Sequence, residues 1–538
     1  MWRLAPGGPA VPNSAAAQAS LRLLMGRGAS QVDEVTFLIT ASEAFVALEH
    51  AFLDATTEIR ACFRIFDLTT HLQSDRGKAV GSDWFDLIAD TLRRGVEISF
   101  VLTDFDPVAI GKMHAATWQS VRLMHAAAEA SGRPDLLRCT GKIHPASVGA
   151  LPRMMLALKS RPMLREQLDT LNGMSLAKRA RAWRLRPGLH PLVRERDGKL
   201  LMKRFLIPEL QPVTHHQKLA VFDRKLLYIG GLDLNDRRYD TPEHNQPPAQ
   251  TWHDTQVMVT GPVAQVAHDH LAEFLDTVAG RTAAKPAPGL LRTMSRPRVF
   301  NVARISPRTV VSELAQAHYD LVGRAKKLIY LETQFFRDRK LANRLVDAVK
   351  ANPDLHLLVV LPGAPEEIAF DNSKGADQQY GEYLQARYVT RVAKAFGSQA
   401  FFATPVKPQN GGSGRAAVRG APLIYVHAKL SVFDDTDAII SSANLNGRSF
   451  RWDTEAGLWL DRPKDVSAIR ERCFRHWMPQ DADVACFAPE TAVAGWRARA
   501  FENARLPPVS RKGFLLPYPI RPAKRFGRNL PGMPEDIV

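Results

Sequence analysis

The sequence predicts an α/β protein built from two similar halves, and three observations support this fold class. The pattern His-x-Lys-x-x-x-x-Asp occurs twice, at His216, Lys218 and Asp223 and again at His427, Lys429 and Asp434. Strand-like and helix-like segments alternate in the same order before each copy. The 538 residues are long enough for two hydrophobic cores. An internal duplication of this extent is stronger evidence for the fold class than any single predicted helix or strand.

Each copy of the pattern ends in a β-like run and continues into a second one. The first runs cover 218–222 and 429–433, where apolar and β-branched residues precede an acidic turn. The second runs cover 226–229 and 438–440. Counted from either histidine, the positions that follow fall in step, namely Asp233, Leu234, Asn235 and Arg237 in one half and Asn444, Leu445, Asn446 and Arg448 in the other. One copy would be a weak motif, but two copies in matching surroundings are specific.

Upstream of the first copy, the sequence predicts a helix, a strand, a second helix and a second strand. Thr40 and Glu43 form a capping-box start for a helix whose apolar residues share one face, and a strand-like run at 60–66 follows. The second helix begins after Ser82 and stops at Gly95. A run typical of a buried strand then covers residues 98 to 102.

The second half repeats this order. Its predicted helix, strand, helix and strand cover 311–325, 328–331, 341–349 and 355–361. Strand-like runs also lie downstream of the motifs, at 257–259 and 456–460. We therefore divide the chain into an N-terminal segment, two lobes and a basic, Pro-rich tail, at 1–32, 33–285, 286–490 and 491–538, with a basic insertion at about 142–204.

The residue types of the motif fit attack on a phosphodiester. A neutral imidazole can act as nucleophile and divide one displacement into two through a covalent intermediate. A second histidine would give a proton to the departing alkoxide and later take one from water. Lys218 and Lys429 would place positive charge at the phosphate oxygens. No metal or cofactor is predicted, because His215 and His253 have no third ligand at metal spacing.

Two histidines near one phosphate need different protonation states, which separate environments can provide. Carboxylates bound to the far ring nitrogens would fix tautomer and orientation. The candidates are Asp254 and Glu455, each downstream of a motif. Asp223 and Asp434 lie at strand ends, where we expect structural roles.

Together these motifs resemble the phospholipase D superfamily. The resemblance rests on the paired motifs and on further matching segments, at 230–234, 330–336, 424–427 and 442–449. It covers roughly residues 33 to 480 and is strongest for the catalytic core of phosphatidylcholine-type phospholipases D. The implied fold has two α-β-α-β-α lobes about a pseudo-twofold axis, with mixed sheets flanked by helices and both histidines at the seam.

The resemblance also implies roles for individual residues. His216 would be the nucleophile, and His427 would be the acid and base. The residues implied at the phosphate or near the pocket are Asn444, Asp233, Gln334 and Glu332. The implied reaction is hydrolysis of a glycerophospholipid, with phosphatidylcholine the first choice, to phosphatidic acid and a free head-group alcohol. Transfer to another alcohol would use the same intermediate.

Two other activities on the same fold stay open, a phospholipid synthase of cardiolipin type and a nuclease or nucleic-acid phosphodiesterase. A non-enzymatic membrane-binding protein is a third class, and the complete set of motif residues argues against it. The predicted partner is a phospholipid membrane surface, towards which the net charge of +17 would attract the chain. No specific nucleic acid or protein partner is predicted.

The sequence also bears on cellular location and on the two basic segments. No run of about 18 apolar residues occurs, and the first thirty residues lack the apolar stretch of a secretory signal. We expect a cytoplasmic or peripheral membrane protein, with non-classical export left open. The basic insertion fits either a lipid surface or a helix packed on the first lobe. The tail fits either an ordered strap or a flexible segment.

Overall fold

A computed structural model of the chain describes residues 31–538, in which two mixed β-sheets are flanked by helices. The predicted N-terminal segment, 1–32, lies almost entirely outside the described residues. The strands of the first half are β1 (Val35–Ile39), β2 (Glu58–Phe63), β3 (Glu97–Thr103), β4 (Leu137–Lys142), β5 (Val193–Arg196), β6 (Lys199–Met202), β7 (Leu219–Phe222), β8 (Leu226–Gly230) and β9 (Thr255–Thr260). Its helices are α1 (Thr40–Asp54), α2 (Asp75–Lys78), α3 (Trp84–Arg93), α4 (Gly111–Ser131), α5 (Ala150–Asn172), α6 (Leu176–Arg184) and α7 (Pro262–Val278).

The second half has the same kind of elements. Its strands are β10 (Leu290–Arg296), β11 (Arg308–Ser312), β12 (Leu328–Thr333), β13 (His356–Val360), β14 (Ala400–Pro405), β15 (Ala417–Val418), β16 (Ala421–Pro422), β17 (Lys429–Phe433), β18 (Asp437–Ser441), β19 (Glu455–Leu460) and β20 (Leu515–Pro517). Its helices are α8 (Glu313–Arg324), α9 (Arg339–Ala351), α10 (Glu366–Ala369), α11 (Ala376–Phe396), α12 (Gly447–Arg451), α13 (Pro463–Trp477), α14 (Ala492–Asn503) and α15 (Ile520–Phe526).

The strand order repeats between the two sheets. The first sheet runs β1-β9-β8-β7-β2-β3-β4, and the second runs β11-β10-β19-β18-β17-β12-β13-β14-β20. In each sheet, the two strands of the motif-bearing hairpin and the strand that follows them pair in antiparallel fashion. The βαβ strands pair in parallel. Equivalent contacts occur in the two halves, at Ile59–Phe222 and Ile329–Phe433 and at Phe66–Leu234 and Phe336–Leu445. The duplication seen in the motifs is thus also present in the backbone.

One hydrophobic core joins the sheets. Apolar side chains from β7 and β8, such as Val221 and Ile229, are buried in the same cluster as Leu430 and Ile440 of β17 and β18. The outer face of each sheet has its own core beneath the flanking helices. Because the inner faces pack on each other, the strand starts that carry the motifs meet at the seam between the lobes.

Several elements differ from expectation. The helix predicted from residue 311 begins at Glu313, because 308–312 form β11 and pair with β10. The capping box is half formed: Glu43 Oε2 accepts from the Ile39 N–H at 2.8 Å, but Thr40 makes no side-chain cap. Thr40 has a φ of 64°, which turns its side chain away from the usual cap geometry.

The two basic segments are ordered parts of the lobes. The insertion forms α5, α6 and the β5–β6 hairpin around a small core of its own, which includes Leu164, Leu168 and Leu200. The C-terminal segment is a strap, since β20 pairs with the edge strand β14 and α14 packs beside it. Between residues 31 and 538, no helix combines the length and apolarity needed to cross a membrane.

Candidate active site

The two motif histidines lie at the seam, and the backbone before each one is held by the opposite lobe. His216 N–H donates to Thr454 O at 2.8 Å, and His427 N–H donates to His253 O at 2.7 Å. These bonds belong to short parallel bridges that link the lobes just before β7 and β17. Both side chains are nearly enclosed, with 9% of His216 and 3% of His427 exposed.

Two acceptors of the second lobe hold the His216 ring. Its Nδ1 lies 3.0 Å from Glu455 Oε2 and 3.2 Å from the Ser442 carbonyl oxygen. A carbonyl oxygen can only accept, so Nδ1 carries the hydrogen and Nε2 keeps a lone pair. In this tautomer, the lone pair of the His216 ring is on Nε2, the nitrogen that faces away from both acceptors.

A carboxylate of the first lobe holds the His427 ring. Asp254 Oδ2 lies 2.6 Å from His427 Nδ1, and the Trp252 ring packs 4.9 Å from the imidazole. The partners are thus crossed: each histidine is oriented by a carboxylate that follows the other motif. The sequence identified both carboxylates as candidates, but it could not indicate that each one contacts the histidine of the opposite lobe.

The motif lysines lie beneath the histidines. Lys218 Nζ donates to His216 O at 2.7 Å and lies 3.6 Å from Asp233 Oδ2, and Lys429 Nζ donates to His427 O. Burial lowers the pKa of Lys218 and lowers that of Lys429 to about 7. Both lysines therefore supply positive charge that is poorly solvated and readily drawn to an anion.

Burial also shifts the pKa of each histidine and its partner. Burial, helped by the nearby lysines, lowers the pKa of His216 and of His427 well below the usual value. Burial raises the pKa of Asp254 and raises that of Glu455 to about 8. Carboxylates and imidazoles in one enclosed site with such shifted pKa values are typical of acid and base catalysis.

The expected phosphate and pocket residues have different surroundings. Asn444 is 6% exposed, and its Oδ1 has no hydrogen-bond partner within the described part of the chain. Asp233 Oδ1 accepts from the Ile65 N–H at 2.9 Å. Gln334 Nε2 donates to the Tyr425 hydroxyl at 2.7 Å. Glu332 is buried, and the histidine that it contacts is His253, outside the motifs.

Comparison with known proteins shows similarity to phospholipase D proteins over part of the chain. A family model described as cardiolipin synthase, PLD-like domain, matches residues 319–477. The chain is 24% identical to phospholipase D alpha 3 of Arabidopsis thaliana, over 47% of this chain and 45% of that protein. It is 24% identical to phospholipase D beta 2 of the same plant, over 60% of this chain and 50% of that protein. Residues 319–477 thus match a PLD-like domain, and a larger part of the chain is similar to plant phospholipases D.

The chain spans about half the length of these curated relatives. A solved phosphatidylserine synthase of Haemophilus influenzae aligns with a TM-score of 0.49 and 12% identity, over 84% of this chain and 89% of that one.

Sequence inspection missed two arginines near the candidate active site. Arg64 directly follows β2, and the strand registers place it at the position of Gln334 in the second lobe. Arg238 lies with its guanidinium 4.7 Å from the centre of the Trp252 ring. In both, Nε is buried and has no hydrogen-bond partner in the region from 31 to 538. Aligning the two halves upstream of the motifs would have drawn attention to Arg64.

The motif aspartates lie away from the histidines, at the turns of the two hairpins. Asp223 accepts from the backbone N–H groups of Thr57 and Glu58, and Asp434 accepts from those of Lys327 and Leu328. Each carboxylate therefore connects its hairpin to the start of the neighbouring antiparallel strand, β2 or β12. Both residues have positive φ, 50° and 53°, which aspartate tolerates better than most residues.

Proposed function

We propose that the chain is a phospholipase D that hydrolyses a glycerophospholipid, with phosphatidylcholine the first choice, to phosphatidic acid and the free head-group alcohol. The observation that carries this proposal is the crossed pairing of each motif histidine with a carboxylate of the other lobe. Such a site has two imidazoles with different partners, as a two-step phosphoryl transfer requires. Phosphodiester chemistry is also what the family relatives are named for.

In the first step, the lone pair of His216 Nε2 forms a bond to phosphorus. The bond from phosphorus to the head-group oxygen breaks, and the departing alkoxide takes the proton from His427 Nε2. Lys218, Lys429 and the amide of Asn444 would stabilise the charge on the phosphate oxygens. Asp233 would act through Lys218, because an ionised carboxylate beside the phosphate would repel it.

In the second step, neutral His427 removes a proton from water while the water oxygen attacks phosphorus. The bond between phosphorus and His216 breaks, and its electron pair returns to the imidazole. Phosphatidic acid leaves, and both histidines regain their starting protonation. An alcohol in place of water would give a new phosphodiester by the same route.

The assignment of His216 as nucleophile rests on its two acceptors. The Ser442 carbonyl holds the hydrogen on Nδ1 whatever the charge of Glu455. His427 has only the Asp254 carboxylate there, whose negative charge favours the protonated ring. The bound phosphodiester adds a further negative charge and would raise the low pKa of His427 when an acid is needed.

A lipid substrate is supported by an exposed apolar patch formed by the basic insertion of the first lobe and a loop of the second lobe. Its side chains are each more than half exposed and belong to α5 and a nearby loop: Leu151, Met154, Met155, Leu158, Val299, Phe300 and Val302. Backbone bonds from 150 and 151 to 301 and 302 join these two segments. Arg298 and Arg304 are exposed beside it. Apolar side chains edged by arginine fit an anionic bilayer surface.

The apolar patch is connected to the candidate active site. Val148 N–H donates to Leu210 O at 3.0 Å, and Ala146 packs with Val213 and Trp452. Val213 lies three residues before His216. A bilayer in contact with the apolar patch would thus lie close to the segment that precedes His216.

A lipid synthase of cardiolipin type is the second candidate. The description of the matching family model favours it. The first step would be unchanged, and the hydroxyl of a second lipid would replace water in the second. The two candidates differ only in the acceptor.

The test is incubation of the purified chain with phosphatidylcholine vesicles, with and without ethanol, and separately with phosphatidylglycerol vesicles. Choline, phosphatidic acid and phosphatidylethanol are measured by mass spectrometry, as is cardiolipin. Choline release together with phosphatidylethanol supports the phospholipase, whereas cardiolipin without choline release supports the synthase. Turnover of single-stranded DNA but of neither lipid would overturn both and support a nuclease. His216→Asn protein is the matched control.

A further inference from the structure

Three histidines meet at the seam beside the candidate active site but take no part in the proposed chemistry. His244 lies in the loop between β8 and β9, His253 lies just before β9, and His476 is in the last turn of α13. One ring nitrogen from each lies within 4.8 Å of the other two. The ring centres are 4.9, 5.2 and 5.9 Å apart. The cluster therefore brings the two lobes together through imidazole rings.

Carboxylates fix which nitrogens face the cluster. His244 Nδ1 lies 2.9 Å from Asp240 Oδ2, and His253 Nε2 lies 2.7 Å from Glu332 Oε2. Ionised carboxylates only accept, so these nitrogens carry the hydrogens, and the opposite nitrogen of each ring is left to act as a ligand.

The nitrogens that face the cluster have few partners. His253 is 1% exposed, and its Nδ1 has no hydrogen-bond partner among residues 31–538. His244 Nε2 faces His476 Nε2 at 3.2 Å. A buried acceptor without a hydrogen-bond donor lowers the stability of the fold. A metal ion that accepts the electron pair of His253 Nδ1 would remove this cost.

We propose that His244, His253 and His476 bind a divalent transition-metal ion of the zinc class. Two imidazole nitrogens about 2.0–2.1 Å from a tetrahedral zinc ion lie about 3.3 Å apart, with ring centres about 5.2 Å apart. The observed ring separations bracket this distance, and small side-chain rotations would bring His253 Nδ1 to the ion. His476 is half-buried, so the fourth position can take a water molecule.

The surrounding charges favour a dication. Asp240 and Glu332 are both fully buried and would balance the two positive charges. Each also makes the hydrogen bond that orients a metal-bound histidine in known zinc sites. The bound ion would cross-link the first-lobe loop to α13 of the second lobe. Sequence spacing could not reveal the site, because His476 lies far along the chain from the other two ligands.

The test is cobalt binding to the full chain without an affinity tag. After chelator treatment and dialysis, the protein is titrated with Co²⁺ while visible d–d absorption is recorded, and Zn²⁺ is then added as competitor. We expect one equivalent of cobalt, displaced by zinc. His244→Gln and His476→Gln should each weaken binding by at least about 10–100-fold, the loss known for even the outer partners of such ligands.

Two controls locate the ion. His50→Gln changes a half-buried helical histidine outside the cluster, and His216→Asn changes the proposed nucleophile. Both should keep one equivalent of cobalt, independently of whether the chain turns over lipid. Zinc should also raise the melting temperature of these two proteins but not that of His476→Gln.

The proposal fails if wild-type protein binds no cobalt above a chelator-treated blank, or if His244→Gln and His476→Gln bind as tightly as wild type. Should these variants misfold by circular dichroism, Asp240→Asn decides instead. It leaves all three rings in place and should weaken binding by about 10–100-fold. Unchanged affinity in folded Asp240→Asn would also overturn the proposal.

Discussion

At the scale of single residues, the two histidines differ in how securely their tautomers are fixed. His216 Nδ1 has a carbonyl as well as a carboxylate acceptor, whereas His427 Nδ1 has the carboxylate of Asp254 alone. We expect Asp254→Asn to lower kcat by about 10²–10⁴-fold, because the amide can invert the His427 tautomer. Glu455→Gln should cost about 10-fold, since Ser442 still holds His216. Steady-state choline release measures both, and equal losses would contradict the asymmetry.

The roles of the histidines can be separated with a lipid whose head group is p-nitrophenol. This leaving group departs without a proton, so the first step no longer needs the acid. In His427→Asn we expect a burst of nitrophenolate followed by slow turnover, with the phosphatidyl group covalently held on His216. His216→Asn should give no burst. A burst from His216→Asn and none from His427→Asn would mean that the two roles are exchanged.

The pH dependence should reflect Lys429. Burial lowers its pKa to about 7, so the ammonium loses its charge as the pH rises through that value. We expect kcat/KM, which reports the free enzyme, to fall on the alkaline side near pH 7. Lys429→Arg should move this fall to higher pH, because a guanidinium stays charged.

Lys225→Arg is the matched control for that profile, because Lys225 is an exposed lysine in the turn between β7 and β8. Its profile should match wild type. An alkaline fall at the same pH in Lys429→Arg would show that another group sets it.

At the scale of elements, the motif aspartates connect each hairpin to the neighbouring strand. We expect Asp223→Ala to lower the free energy of unfolding by about 1–3 kcal/mol, because backbone N–H groups lose a charged acceptor. Although burial opposes it, hydrogen bonds from Thr56, Thr57 and Glu58 lower the pKa of Asp223. Its contribution is therefore complete above the unfolded pKa of about 3.9 and is lost as the pH falls through the lower folded value.

Urea unfolding at pH 7 and at decreasing pH measures this contribution. Asp197→Ala is the control, since Asp197 also has positive φ but is exposed and pairs with the adjacent Arg196. Asp197→Ala also replaces an aspartate at positive φ by alanine, but it leaves the hydrogen bonds between hairpin and neighbouring strand in place. Equal losses in the two variants would assign the effect to backbone strain instead.

The elements also show what the sequence could and could not predict. Period and end residues predicted the helices and strands that precede the motifs, and the motif hairpins, to within a few positions, because these segments are buried on a single face or throughout. The sequence did not predict the strands β4, β10, β11, β14 and β20 or the helices α4, α7 and α11; of these, the edge strands β4 and β11 carry mixed polar residues and are fixed by their neighbours. The motifs identified the histidines, but the crossed carboxylates, Arg64 and the three-histidine cluster depend on contacts between lobes.

At the scale of the whole molecule, the positive charge and the apolar patch both concern the approach to lipid. The net charge of +17 would attract an anionic bilayer over several ångströms, and this attraction weakens with salt. The apolar patch would then add contacts that salt does not screen. Binding should thus have a salt-sensitive and a salt-resistant part.

Replacing Met155, Leu158 and Phe300 together by serine should remove the salt-resistant part. These side chains are 77%, 87% and 94% exposed, so their loss leaves the core unchanged. We expect vesicle sedimentation to fall at least about 10-fold at high salt, from the loss of roughly 1.5–3 kcal/mol per inserted side chain. Turnover of a short-chain monomeric phospholipid should stay at the wild-type rate. The control is Val484→Ser with Val509→Ser, which changes exposed apolar residues far along the chain; if it weakens binding equally, the apolar patch is not the membrane contact.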